Sequence, residues 1–202
     1  MSVSKYRQTA LSSIKIILMT PRRKSDPRER ILEVADRLFY EQGVRAAGTE
    51  KIMSVAEVAK ATFYRHFQSK DALVLAYLEK RDRALWDYLA HPIPPKDLRE
   101  VLIKFEQMAN RPEIIGCPFL RIASEFPDTS HPFHRRVIEH KDKLRDYLAQ
   151  FLEPDVVDRN AAAAAILGVI DGALSAKMVY RGSKEIPLLS AAEAVLGSFQ
   201  NA

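Results

Sequence analysis

Lys60, Thr62, Tyr64, Arg65 and His66 place five different hydrogen-bond donors within seven residues, and Lys70 follows four positions later. That chemistry is suited to holding an anion rather than to making or breaking a bond. Phosphate and sugar take half or more of all protein–DNA hydrogen bonds, and they take them from side chains of these types. Phe63 and Phe67 are interleaved with the donors and must face a core. Ser69 can cap the helix that follows it, and the free N–H groups of that helix end form a further phosphate seat beside Lys70. Rival chemistries lack their residues. Paired carboxylates, a nucleophile with its base and a Gly-rich phosphate loop are missing from recognisable contexts, so an enzyme is the minor alternative. His131, His134, Glu139 and His140 do not share one helix face as metal ligands would, and no second Cys joins them. We expect no metal and no cofactor. Cys117, the single cysteine, cannot close an internal disulfide, which fits a reducing compartment such as the cytoplasm. It is either a buried structural thiol or a redox sensor.

Those donors need two short helices at a fixed angle. Asp26 is a candidate N-cap with Pro27 at the first helical position and Glu29 three after the cap. Ile31, Ala35, Leu38 and Phe39 then recur on one face, and Gly43 supplies the stop. Thr49 caps a helix over 49–56, and a second covers about 59–65. A three-residue turn separates them, which is helix-turn-helix spacing. Ile52, Val55, Val58 and Phe63 can form the cluster that sets their angle, with Phe67 closing it on the first helix. From Ser69 a helix of about 20 residues would span about 30 Å. His91-Pro92-Ile93-Pro94-Pro95 ends it and marks the best candidate boundary. Helices are expected beyond it at about 96–110, 116–126, 131–152, 155–181 and 187–200. No strand pattern of useful length appears, and no stretch reaches the roughly 18 apolar residues of a membrane helix.

The chain has 202 residues, 47 % apolar and 28 % charged, with a net charge of +5. This is ordinary for a globular protein long enough to bury a core without staples. Residues 1–91 hold 17 Lys and Arg against 11 Asp and Glu, while residues 92–202 hold 14 against 15. All the excess positive charge lies in the half that carries the donors, as an anionic partner of that half would require.

Ala59-Lys60-Ala61-Thr62-Phe63-Tyr64-Arg65-His66-Phe67, followed by Ser69-Lys70-Asp71-Ala72-Leu73, closely resembles the signature of the tetracycline-repressor (TetR) family of bacterial transcription regulators. Arg30-Ile31-Leu32 through Phe39 and Gly43 matches that family's first helix, so the resemblance covers about 60 residues. It implies an all-α fold, with a three-helix DNA-binding domain at 25–85 (motif about 48–67) and a helical ligand-binding and dimerisation domain at 92–202. Residues 1–24 would form a flexible arm, and Met19 is a candidate start. The implied function is a dimeric, ligand-responsive repressor on a palindromic operator. Its partners would be double-stranded DNA, a second copy of the chain and a small-molecule effector, with no membrane. The alternative in a different class is a non-specific basic DNA-architectural protein. Thr49, Lys60, Ala61, Thr62, Tyr64, Arg65, His66 and Lys70 are the candidate DNA contacts. The chain departs from the family at the turn, where Glu57 replaces Gly or Asn, and at Ala59, which replaces a Ser or Thr cap. Each change costs about 1 kcal/mol.

In the second half, Ala164, Gly168, Gly172 and Ala176 recur at i+4 and form one row that admits a neighbouring backbone closely. With Val195 and Phe199 of the last helix they are the candidate dimer interface. Trp86, Phe105, Met108, Phe119, Phe126, Asp171 and Met178 are the candidate ligand-binding residues, although the aromatics and methionines suit a plain core equally well. Asp171 can instead pair with a basic residue across the interface.

Overall fold

The computed structural model describes residues 26–180 and 184–199, and among these residues the chain is all-α. The expected arm at 1–24 lies outside the described residues. Helix α1 runs Pro27–Gln42. Asp26 caps it by accepting from the Arg28 N–H at 3.2 Å. Gly43 ends it with φ at +91°, where a side chain would be strained. Helix α2 (Thr49–Val55) is capped by Gly48 rather than Thr49, which is its first residue. The expected cap is thus one residue off, and no side chain bonds the α2 end. Glu57 follows at φ +53°, the left-handed turn position. Helix α3 (Lys60–His66) begins after Ala59, which offers no side-chain cap. Helix α4 (Lys70–Ala90) is capped by Ser69 Oγ, which accepts from the Ala72 N–H at 3.0 Å.

Phe63 and Ile52 are fully buried and Phe67 nearly so, and they join α1 residues Ile31, Ala35 and Phe39 in one cluster. Val58 packs at its edge. Val55, expected in the same cluster, is 42 % exposed. It is the last residue of α2, and its neighbour Ala56, 3 % exposed, takes the core position there instead. Helices α2 and α3 both pack on α1, which also packs along α4.

The remaining helices are α5 (Leu98–Ala109), α6 (Pro118–Glu125), α7 (Pro132–Gln150), α8 (Arg159–Tyr180) and α9 (Leu188–Gly197). The α8 helix starts four residues later than the pattern suggested, because Asp158 takes the cap, accepting from the Ala161 N–H. It packs on α7 and α9, while α4 meets α6 and α7. The apolar cluster is continuous from Ile31 to Ala192, across the Pro-rich break at 92–95. By length and composition α8 is apolar enough to cross a bilayer, which amends the expectation from the apolar runs. Here its Ala162, Ala163, Ile166, Ile170 and Leu174 are buried within the fold.

Candidate nucleic-acid interface

The α3 donors stand on a rigid base. Phe63 anchors the helix from inside, with Phe67 at 6.3 Å and Tyr64 edge-on at 5.2 Å between ring centroids. The Arg28 guanidinium lies over Phe67, 5.2 Å from its centroid. Arg30 Nε donates to the Ala56 carbonyl at 3.3 Å, tying the end of α2 to α1. On this base Lys60, Ala61, Tyr64 and Arg65 are exposed, and Thr49, Thr62, His66 and Lys70 are half-buried. One face therefore carries two cations and a phenol side by side. His66 is the exception among the donors. Its Nε2 is enclosed without a hydrogen-bond partner, so it does not present that nitrogen to a phosphate. Partial burial holds the Lys70 ammonium below its usual range, although Glu125 and Asp71 pull it back up.

Glu125 connects this unit to the rest of the molecule. Its two carboxylate oxygens accept from the Val44 and Arg45 N–H groups at 3.0 and 2.8 Å, charge-assisted bonds that hold the α1–α2 loop against the end of α6. Tyr40, at the end of α1, makes the second tie. Its hydroxyl donates to the Gly116 carbonyl at 2.8 Å and accepts from the Ile115 N–H at 2.9 Å. Arg121 of α6 donates to the Tyr40 carbonyl.

Tyr40 also lines a cavity of about 230 Å³. Arg81, Leu85 and Tyr88 of α4 face it, as do Phe105 and Met108 of α5, Arg111 and the 114–118 segment, Phe119, His140 and Lys141, and Asp171 and Leu174 of α8. Four of the expected ligand residues are brought together there: Phe105, Met108, Phe119 and Asp171. Trp86, Phe126 and Met178 are not in the lining. Trp86 donates to Asp82 at 3.0 Å and packs edge-on against Tyr147. Phe126 packs against Phe133 and under Arg45. Met178 fills the space that a Cβ on Gly116 would need. Asp171 takes an ion pair with Lys141 of the same chain, so it has its cation without a second copy. Sequence reasoning missed Tyr40, Arg81, Tyr88, Arg111, His140 and Lys141. Arg81 and Tyr88 share the i+4 and i+3 row of Tyr77 and Leu85 along α4, which was the local signal for these two.

Behind the cavity, Asp82 is buried and collects four donors. His140 Nδ1 lies at 2.6 Å, Arg136 Nη2 and Trp86 Nε1 at 3.0 Å, and Lys143 Nζ at 3.7 Å. Burial pushes the Asp82 carboxyl up, but the His140 and Trp86 hydrogen bonds and the Arg136 charge outweigh it and hold it low. Burial drives His140 down to about 4 against the pull of Asp82. At neutral pH the ring is therefore neutral, donates to Asp82 from Nδ1 and stacks flat on Phe119 at 3.5 Å. Burial pushes the Cys117 thiol up, with Lys141 Nζ 3.8 Å from Sγ. Among the described residues no cluster of His, Cys, Asp or Glu is arranged to hold a metal ion.

The model of the tetR family of bacterial regulatory proteins matches residues 31–77. The transcriptional repressor NemR of Escherichia coli K12 is 25 % identical over 142 residues, 67 % of this chain and 71 % of that protein. YvkB of Bacillus subtilis, an uncharacterised HTH-type transcriptional regulator, is 30 % identical over 132 residues, 64 % of this chain and 69 % of its own. The crystal structure of a TetR-family transcriptional regulator from Streptomyces coelicolor superposes with a TM-score of 0.78 at 31 % identity, covering 87 % of this chain and 96 % of that one.

Proposed function

The chain belongs to the TetR family of bacterial transcription regulators, DNA-binding proteins with an N-terminal helix-turn-helix, and from that premise we propose that it acts as a dimeric repressor whose operator is released when a small molecule enters the cavity beside α1 and α4. Lys60, Ala61, Thr62 and Arg65 meet the major groove, with Thr49, Tyr64 and Lys70 on flanking phosphates. The observation that carries this reading is the α3 face: Lys60, Tyr64 and Arg65 are exposed together over a fully buried Phe63.

A single reading helix covers too few base pairs for a specific site, and two-fold pairing matches a palindrome one helical turn apart, roughly 34–36 Å. The surface proposed for that pairing is the row Ala164, Gly168 and Gly172, exposed on the outer side of α8, continued by Ala176, Val195 and Phe199 at its margin. Release follows from the two ties at Tyr40 and Glu125. Gly116 of the cavity wall and its neighbour Ile115 share hydrogen bonds with the first helix, so a ligand that displaces the wall displaces the reader. Such a protein works on the chromosome, in the cytoplasm, and by binding rather than catalysis.

The test is to enrich random duplex DNA on the purified full-length chain at moderate salt. Recovery of one palindromic sequence, bound with at least a thousandfold preference over unrelated DNA, is the expected result. Retention of all sequences alike would sink specific repression and leave the architectural alternative.

A further inference from the structure

The charges around the cavity do not balance, and the imbalance names a ligand class, provided that the cavity is the effector site proposed above. Arg81 is neutralised by Asp36, with Nε to Oδ1 at 2.5 Å. Lys141 is neutralised by Asp171. Arg111 lines the same cavity, and among the described residues no carboxylate pairs with it. Its guanidinium instead lies 4.6 Å from the centroid of the Tyr88 ring. That ring is fixed by its hydroxyl, which donates to the Lys104 carbonyl at 2.9 Å. The lining thus carries one oriented guanidinium without an anion, among walls built from Tyr40, Tyr88, Phe105 and Phe119.

We propose that the cavity takes an aromatic monocarboxylate of one or two rings, its carboxylate on the Arg111 guanidinium and its ring between the aromatic walls. The planar fork of arginine matches a carboxylate through two parallel hydrogen bonds. A single negative charge completes the balance, whereas a doubly charged phosphate leaves one charge over. Size agrees. A dry cavity of about 150 Å³ holds a benzene, and about 230 Å³ leaves room for a second ring or a short substituent. His140 is neutral at neutral pH, so it adds no second cation. The Cys117 thiol is held protonated by burial and meets the ligand as an apolar surface, which makes the binding reversible.

The experiment titrates the full-length chain by calorimetry with three probes of one shape: 2-naphthoate, 2-naphthamide and 2-(aminomethyl)naphthalene. The expected result is that the carboxylate binds at least tenfold more tightly than the amide and the amine binds weakest. In Arg111→Gln the preference for carboxylate over amide should shrink to under twofold, and Arg111→Lys, which keeps the charge but not the fork, should fall between. The comparison in the unaltered chain decides the matter even where a variant folds poorly. Amide or amine binding as tight as the carboxylate overturns the assignment, as does no binding of any probe at millimolar concentration. A carboxylate that binds through Arg111 yet leaves affinity for the selected operator unchanged upholds the ligand class. That outcome would remove instead the regulatory reading on which it rests.

Discussion

Lys70 and Tyr64 meet the same polyanion in different ways, and their removal should show it. Lys70→Ala takes away one charge, so the dependence of log affinity on log salt should flatten by about one unit. The loss should be alike on operator and unrelated duplex, because a phosphate contact positions without specifying. Tyr64→Phe removes a neutral hydroxyl and should weaken both sequences several-fold with the slope unchanged. Binding curves at four salt concentrations distinguish the two, and a wild-type slope in Lys70→Ala would remove Lys70 from the interface. Gly116 is a residue-scale constraint of another kind. Its φ of +129° is a glycine conformation, and an added Cβ would run into Met178. Gly116→Ala should therefore cost about 2–3 kcal/mol of stability, strain and overpacking together, read from chemical denaturation. The donor string was legible because Phe63 and Phe67 alternate with it and leave a single outward face. The Thr49 cap and the buried Val55 were misplaced because both sit at helix ends, where one residue of slippage changes which side a residue faces. The enclosed His66 Nε2 depends on packing that no local pattern records.

At the scale of elements, Asp82 pins α4 to α7 through His140 and Arg136, and this joint has a pH dependence whose sign can be worked out. The folded chain keeps His140 neutral down to about 4, from an ordinary value of 6.5. The unfolded chain takes up the proton first as pH falls, so folding loses stability between about 6.5 and 4. The loss amounts to at most about 3 kcal/mol at 1.36 kcal/mol per unit. Below that window Asp82, held low in the folded state, adds a loss of the same sign. Melting temperatures from pH 7.5 to 4.5 should fall in the native chain. His140→Gln should start lower and fall less, and an equally steep fall in the variant would detach the joint from His140. The first helices were readable from caps and breakers: Asp26, Gly43 and Ser69 stand where the pattern put them. The joints were not readable, since Asp82 and His140 lie 58 positions apart and only the tertiary fold brings them together.

For the molecule as a whole, Gly168 and Gly172 separate assembly from folding. Nothing lies within 4 Å of a Cβ added at either position in the single chain. Gly172→Leu should therefore leave the subunit folded, even gaining about 0.8 kcal/mol of helix propensity, while opposing the pairing of two α8 helices. Sedimentation at micromolar concentration should show a dimer for the native chain and association weakened by about 1–3 kcal/mol for the variant. A native monomer would end the dimer proposal. Ligand and operator should each weaken the other by one common factor, equivalent to about 1–3 kcal/mol. Tyr40→Phe, which cuts the hydroxyl bridge from α1 to Gly116 and Ile115, should reduce that factor while changing each separate affinity less. Titrations of ligand with and without operator measure it. That bridge also bears on how such a protein acquires new specificities. The walls from α5 and α8, with Phe105, Met108 and Leu174, take no part in the Tyr40 and Glu125 ties and are open to drift or to a designer's library. Residues 115–118 carry both recognition and response, so changes there alter the dose a cell responds to as well as the compound. A sensor for a new molecule is therefore best evolved from the far wall inward, with the Tyr40 side left intact.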